Sequence, residues 1–316
     1  MTLLGNGHFW IMRTGWSSSN QTVTGFTFEN GGLLAEGTVT NIKVIGNTFQ
    51  NLTSDNRGGN WPLGTAIFSG SGMRNSKISQ NTFKNLMIGG TTRVDGTIAS
   101  IDKSHNQGLM FYGLDNTSID HNTFDHVGEG MHICFSNPWP SSNVYIGYNK
   151  FTKIHRMAME IQGATGCGAK KPARSGPNTT DMVIENNSIT DFNDPYWWSY
   201  AISLANPAPS GGDRAIIRNN YIVGSTTANP IGYGFGIEAA SANLEVYGNT
   251  LAGYWRTAIT IDYSPNAKIH DNFTCGMTAG ALVKIAQETR PSPNAKYYDN
   301  NINPEYCPSN IPNPLR

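Results

Sequence analysis

The sequence predicts an all-β protein of the solenoid class, and three observations carry that prediction. The first is a motif, apolar-x-x-Asn-x-apolar, which recurs at Val44–Phe49, Ile78–Phe83, Ile119–Phe124, Ile146–Phe151, Ile184–Ile189, Ile217–Ile222 and Val246–Leu251, with weaker copies at Ile269–Thr274 and Tyr297–Ile302. Its asparagines (Asn47, Asn81, Asn122, Asn149, Asn187, Asn220, Asn249, Asn272 and Asn300) stand 34, 41, 27, 38, 33, 29, 23 and 28 residues apart. A fixed motif on a variable period is one supersecondary unit carrying loops of unequal length, and such units stack. The second is a companion motif, small-apolar-x-apolar, at Gly130–Ile133, Ala158–Ile161, Ala201–Leu204, Gly236–Ala239 and Ala258–Ile261. The third is composition: only 14% of residues are charged, glycine numbers 35, and no helical periodicity is sustained. Many turn-formers beside β-branched residues suit short strands joined by tight corners.

Taken in order, residues 1–40 form the first coil and N-terminal edge, with strand-like runs at His8–Arg13 and Thr22–Phe28 and with Phe26 standing where later coils carry Asn. From Asn41 onward each coil holds two short apolar strands separated by polar corners. The connections lack two-residue Asn-Gly or Asp-Gly hairpin turns, so each strand pairs in parallel with its counterpart one coil later, about 4.8 Å away. Stacking places the motif asparagines in one column, where their amides satisfy one another and the backbone of the bend. It also places Phe49, Phe83, Phe124 and Phe151, followed by Ile189, Ile222 and Leu251, in one inner ladder. Residues 303–316 are a Pro-rich tail, and the whole of 1–316 reads as a single elongated domain of about nine to ten coils.

These registered asparagines make the chain resemble the right-handed parallel β-helix of the pectate-lyase-like superfamily over nearly its full length. The resemblance implies that fold, and it implies a groove for an extended saccharide on one parallel sheet. It does not imply a particular chemistry, because this superfamily holds lyases, hydrolases, epimerases, tailspikes and adhesins. The Asn-Thr-Asp and Gly-His-Gly motifs of polygalacturonases, the pectin methylesterase motifs and the Arg-x-Pro-x-x-Arg of pectate lyases have no counterpart here.

Lysine plus arginine equals aspartate plus glutamate at 22 each, so nothing in the charge calls for nucleic acid or an anionic membrane as partner. No apolar run reaches the roughly 20 residues that span a bilayer. The four cysteines lack metal-ligand spacing. Cys134 with Cys167, and Cys275 with Cys307, are placed to staple a loop and the tail; buried free thiols are the alternative. A disulfide would place the protein outside the cytoplasm, extracellular or periplasmic. A monomer is expected, because the coils show no large apolar outer stripes.

Candidate chemistry lies where the repeat does not repeat. Aligning the second strands puts Met110, His132, Glu160, Ser203, Glu238, Thr260 and Lys284 in one outward column, and Tyr112, Cys134, Gln162, Ala205, Ala240 and Asp262 in the next. His132 and Glu160 fall one coil apart; Glu160 and Glu238 fall two coils, about 10 Å, apart. Hydrolysis of a glycosidic bond needs one carboxyl to protonate the leaving oxygen and another to activate water, at roughly 6.5–9.5 Å for inversion. Glu160 with Glu238, or Glu238 with Asp262, are therefore the candidate acid and base, and His132 stands beside them. Loops and corners bring His126, Glu129, His155, Arg156, Trp197, Trp198, Tyr254, Trp255 and Arg256 to one edge. Of these, His155, Arg156, Trp197, Trp198, Tyr254, Trp255 and Arg256, together with Gln162, are read as substrate-binding. Hydrolysis needs no cofactor; calcium held by the carboxylates would instead favour β-elimination on a uronate polymer. The third reading is a non-catalytic carbohydrate-binding module, an adhesin or tailspike. In each case the partner is a polysaccharide or oligosaccharide.

Overall fold

The structure is a computed structural model that describes residues 1–4, 10–13, 17–35, 37–52, 64–86, 106–135, 141–163, 179–192, 199–205, 212–224, 234–253, 257–275, 283–285 and 291–303. Among them there is no helix, and every strand pairing is parallel and joins one coil to the next. The strands lie in a 19-stranded and a 15-stranded sheet. The chain is a parallel β-helix, as the repeat predicts.

Where the sequence suggested two strands per coil, most coils contribute four short segments, as in Gly212–Asp213, Ile216–Arg218, Tyr221–Gly224 and Gly234–Ala239, and the central coils merge them into two long ones, as in Leu114–Asp120 and Thr123–Phe135. The motif asparagine marks a bend between the 15-stranded sheet, which takes Ile119, and the 19-stranded sheet, which takes Phe124. The residue before it adopts left-handed backbone in every coil, from φ 51° at Asp271 to 66° at Gly46, and includes Gln80, His121 and Tyr148. Such a conformation costs a non-glycine residue about 1–3 kcal/mol, so the surroundings must hold it. The asparagine column does so. Asn122 Nδ2 donates to Ile78 O at 3.0 Å and to Asn149 Oδ1 at 3.0 Å, while its Oδ1 accepts from the backbone N and from Nδ2 of Asn81, both at 3.0 Å. Both amide N–H groups and both oxygen lone pairs are in use. The Asn-to-Asn link repeats at every step from Asn47 to Asn300. Phe26 stands in the predicted place, its backbone N donating to Asn47 Oδ1.

Inside the bend, Phe28, Phe49, Phe83, Phe124 and Phe151 stack with centroids 4.5–5.2 Å apart, each pair contributing about 0.5–1.5 kcal/mol beyond its burial. Ile189, Ile222 and Leu251 continue the ladder. The small residue of the companion motif faces this ladder. A Cβ on Gly130 would lie 2.6 Å from the Phe151 ring and collide with Ala158 O.

One expectation changes. His126, Glu129, His155 and Arg156, read as loop and corner residues, lie within the uninterrupted strands Thr123–Phe135 and Lys150–Gly163. These strands turn from one face of the coil onto the next without a loop and join the two faces into the larger sheet. Cys134 and Cys275 are disulfide-bonded, not free thiols; the expected partners Cys167 and Cys307 lie outside the described residues. No helix among the described residues is long and apolar enough to cross a membrane.

Candidate active site

The outward column is in the register predicted from the sequence: Met110 pairs with His132, His132 with Glu160, Glu160 with Ser203, Ser203 with Glu238, Glu238 with Thr260 and Thr260 with Lys284. Its first four members are nonetheless buried, with His132 at 3% exposure and Glu160 at 1%. The outer face of the sheet is shielded from solvent at this point, and that is where the charges gather.

Glu129 joins them through the bend. On a straight strand residues i and i+3 stand about 10 Å apart on opposite faces. Here Gly130 and Met131 both turn into the core, so Glu129 and His132 emerge on the same side, with His132 Nδ1 3.6 Å from Glu129 Oε1. A bulge in the next coil does the same for Arg156. The pairing of Thr123–Phe135 with Lys150–Gly163 shifts register between Val127 and Glu129, so that His155 and Arg156 oppose the single Gly128. Arg156 thereby reaches Glu160, four residues on: Nη1 lies 2.6 Å from Oε2 and Nη2 3.3 Å from Oε1, while Nη1 also lies 3.4 Å from Glu129 Oε2. His132 Nδ1 is 3.5 Å from Glu160 Oε2. From the preceding coil Gln107 Nε2 stands 3.0 Å from both Glu129 Oε2 and His132 Nδ1, and its Oε1 accepts from Thr65 Oγ1 at 3.2 Å.

The two carboxyls are driven apart in proton affinity. Burial, and then the Glu129 carboxylate, push Glu160 up to about 8 against the pull of His132 and Arg156. Burial pushes Glu129 up as well, but the His132 charge, hydrogen bonds from Glu160 and His132, and the Arg156 charge outweigh it and hold Glu129 well below the ordinary 4.5. For His132 burial disfavours the imidazolium, and the Glu160 and Glu129 carboxylates overcome it and raise the imidazole. One carboxyl is therefore set to carry a proton near neutrality while its neighbour is ionised.

The remaining predicted residues sit farther along the face. Gln162 is half-buried and pairs with Cys134 and Ala205. Glu238 is half-buried two coils from Glu160 and accepts from Ser203 Oγ at 2.7 Å. Asp262, also half-buried, follows Thr257–Ile261, its backbone N donating to Ala239 O. Of the pairs proposed from the sequence, the structure brings Glu160 to His132 and Arg156, and the second carboxyl beside Glu160 is Glu129. The His155 side chain, Trp197, Trp198, Tyr254, Trp255 and Arg256 lie outside the described residues.

Glu129, His132 and Glu160 each offer one donor atom within 4.8 Å of the others. This set does not fit calcium, which takes 6–8 oxygen ligands, because Arg156 and His132 already stand against the same carboxylate oxygens.

Among solved structures the chain is similar to PfbA, a surface adhesin of Streptococcus pneumoniae, with a TM-score of 0.50 and 13% identity over 89% of this chain and 77% of the adhesin. It is also similar to the DFA-IIIase of Arthrobacter chlorophenolicus A6 without its lid (TM-score 0.47, 12% identity, 90% and 71% of the two chains). A third likeness is to the A-module of the mannuronan C-5 epimerase AlgE4 of Azotobacter vinelandii (TM-score 0.45, 10% identity, 92% and 77%). The fold is shared. At such identities the likeness carries no chemistry to this chain. No family model matches the chain, and no curated protein matches it.

Proposed function

We propose that the protein is an exported carbohydrate-active enzyme that cleaves glycosidic bonds, with Glu160 as the proton donor and Glu129 as its ionised partner. One observation carries this reading: two carboxyls in one solvent-shielded cluster whose surroundings drive their proton affinities in opposite directions. A separation within 4.8 Å falls on the side of retention, for which carboxyls about 5–5.5 Å apart are wanted, and not of inversion. Glu160 then protonates the leaving oxygen as its bond to the anomeric carbon breaks. Glu129 bonds to that carbon; water then attacks the same carbon, the bond to Glu129 breaks to restore its carboxylate, and the water proton passes to Glu160. Arg156, at 15% side-chain exposure the most open member of the cluster, must swing off Glu160 for a sugar to reach the pair. Gln162, Glu238 and Asp262 extend the same face as contacts for neighbouring sugar units, and the disulfide-bonded Cys134 and Cys275 support export.

The test is a glycan panel assayed with Glu160→Gln and Glu129→Gln, each checked for folding by circular dichroism. Each substitution is expected to lower the release of reducing ends by about 10²–10⁴-fold, the usual worth of a positioned acid or base. Undiminished activity in both variants overturns the assignment. Products with an unsaturated ring absorbance would replace hydrolysis by β-elimination with His132 as the base. Glycan retention without any product would make the protein a binding module.

A further inference from the structure

Gln107 lies outside the proposed chemistry yet touches two of its members. Its side chain is 2% exposed, and a single atom, Nε2, stands 3.0 Å from Glu129 Oε2 and 3.0 Å from His132 Nδ1. An ionised carboxylate only accepts hydrogen bonds, so its contact fixes which end of the amide points at Glu129: the NH₂ group. Thr65 Oγ1, donating to Oε1 at 3.2 Å, holds the other end. With the amide so oriented, its second N–H points at Nδ1, and that nitrogen has to accept. An imidazole that accepts at Nδ1 is neutral and carries its proton on Nε2.

We propose that Gln107 is a positioning residue that keeps His132 neutral with Nδ1 as acceptor, so that the proton shared within the cluster resides on Glu160. Among the described residues the charged groups facing His132 are Glu129 on its own strand and Glu160 and Arg156 on the next coil, while the strand of the preceding coil sets neutral Gln107 and Met110 beside it. The two carboxylates favour an imidazolium, and the Gln107 N–H opposes it. Removing that N–H lets one proton pass from the Glu160 carboxyl to His132 Nδ1, leaving a carboxylate and an imidazolium. The kinetic consequence rests on the function proposed above, but the protonation state does not.

The experiment is nitrogen-detected NMR of the histidine rings across pH, with His132 identified by its absence in His132→Asn. In the wild-type protein the His132 proton is expected on Nε2 near neutral pH. In Gln107→Leu the His132 midpoint is expected to rise by about one unit, the worth of one hydrogen bond, and in the near-isosteric Gln107→Glu by at least as much. A wild-type proton on Nδ1, or a midpoint unmoved in both variants, overturns the inference whatever the protein does to glycans. A shifted midpoint in a protein that cleaves no glycan removes the proposed function and leaves the role of Gln107 standing. Where cleavage is present, Gln107→Leu should lower kcat more than KM and move the alkaline limb of the pH profile downward.

Discussion

Two sets of buried polar side chains run through this molecule, and they solve opposite problems. The asparagine column is neutral, repeats in every coil from Asn47 to Asn300 and fills its hydrogen-bonding capacity with identical neighbours and bend backbone. The cluster of Gln107, Glu129, His132, Arg156 and Glu160 is charged and occurs once. Its members come from two columns of the repeat, Gln107 with Glu129 and His132 with Glu160, and from local irregularities, Gly130 and the bulge before Met157. The column is bound by symmetry to do one thing, whereas the cluster can hold a proton in more than one place. Rigidity comes from the first, and the proposed chemistry rests on the second.

The largest expected effect is on the column. Asn122→Ala takes their Asn122 partner from Ile78 O and the two Asn81 donors and leaves Asn149 Oδ1 with the backbone N of residue 122 alone; at about 1–3 kcal/mol for each buried group, partly recovered by relaxation, a loss of about 3–5 kcal/mol is expected in urea denaturation. An unchanged midpoint would mean that the column is not what holds the bend.

The cluster should respond to pH where the column does not. Glu160 is raised, so the stability it contributes is present below its ordinary value of 4.5 and is lost as pH rises through the folded one, about 8. Glu129 is lowered, so its contribution is lost only in stronger acid, as pH falls through its folded value. Melting temperature should therefore decline between about pH 5 and 9, by at most a few kcal/mol in stability, and Glu160→Gln should flatten that decline. A wild-type melting curve independent of pH over this range would contradict the charge arrangement.

Gly130→Ala tests the bend that unites the two sets, because the new Cβ meets Ala158 O and the Phe151 ring. Overpacking of this kind costs about 1–3 kcal/mol, read by thermal melting, and should disturb Glu129 more than Glu238. At the small end, Arg214 pairs with Asp181 on the exposed surface at 2.7 and 2.8 Å. Arg214→Ala should leave the melting temperature nearly unchanged, as for other solvated pairs, measured by the same melting assay.

The expected aromatic rim, Trp197, Trp198, Tyr254 and Trp255, lies outside the described residues, so the legible part of the site is its floor. There the sequence alone determined a great deal. Parallel pairing between coils, pinned by one asparagine per turn, leaves little freedom of register, and this is why the row from Met110 through His132 and Glu160 to Lys284 follows from the repeat alone. What only the tertiary structure decided is which residues meet. Counting by twos along a straight strand puts Glu129 and His132 on opposite faces and Arg156 about 13 Å from Glu160. The coil bends where Gly130 packs on Phe151, and it bulges where His155 and Arg156 oppose Gly128. Each irregularity breaks the parity of the count. Register is a property of neighbouring coils, which the repeat records; the direction of a side chain at a corner depends on what fills the interior beneath it, which the repeat does not.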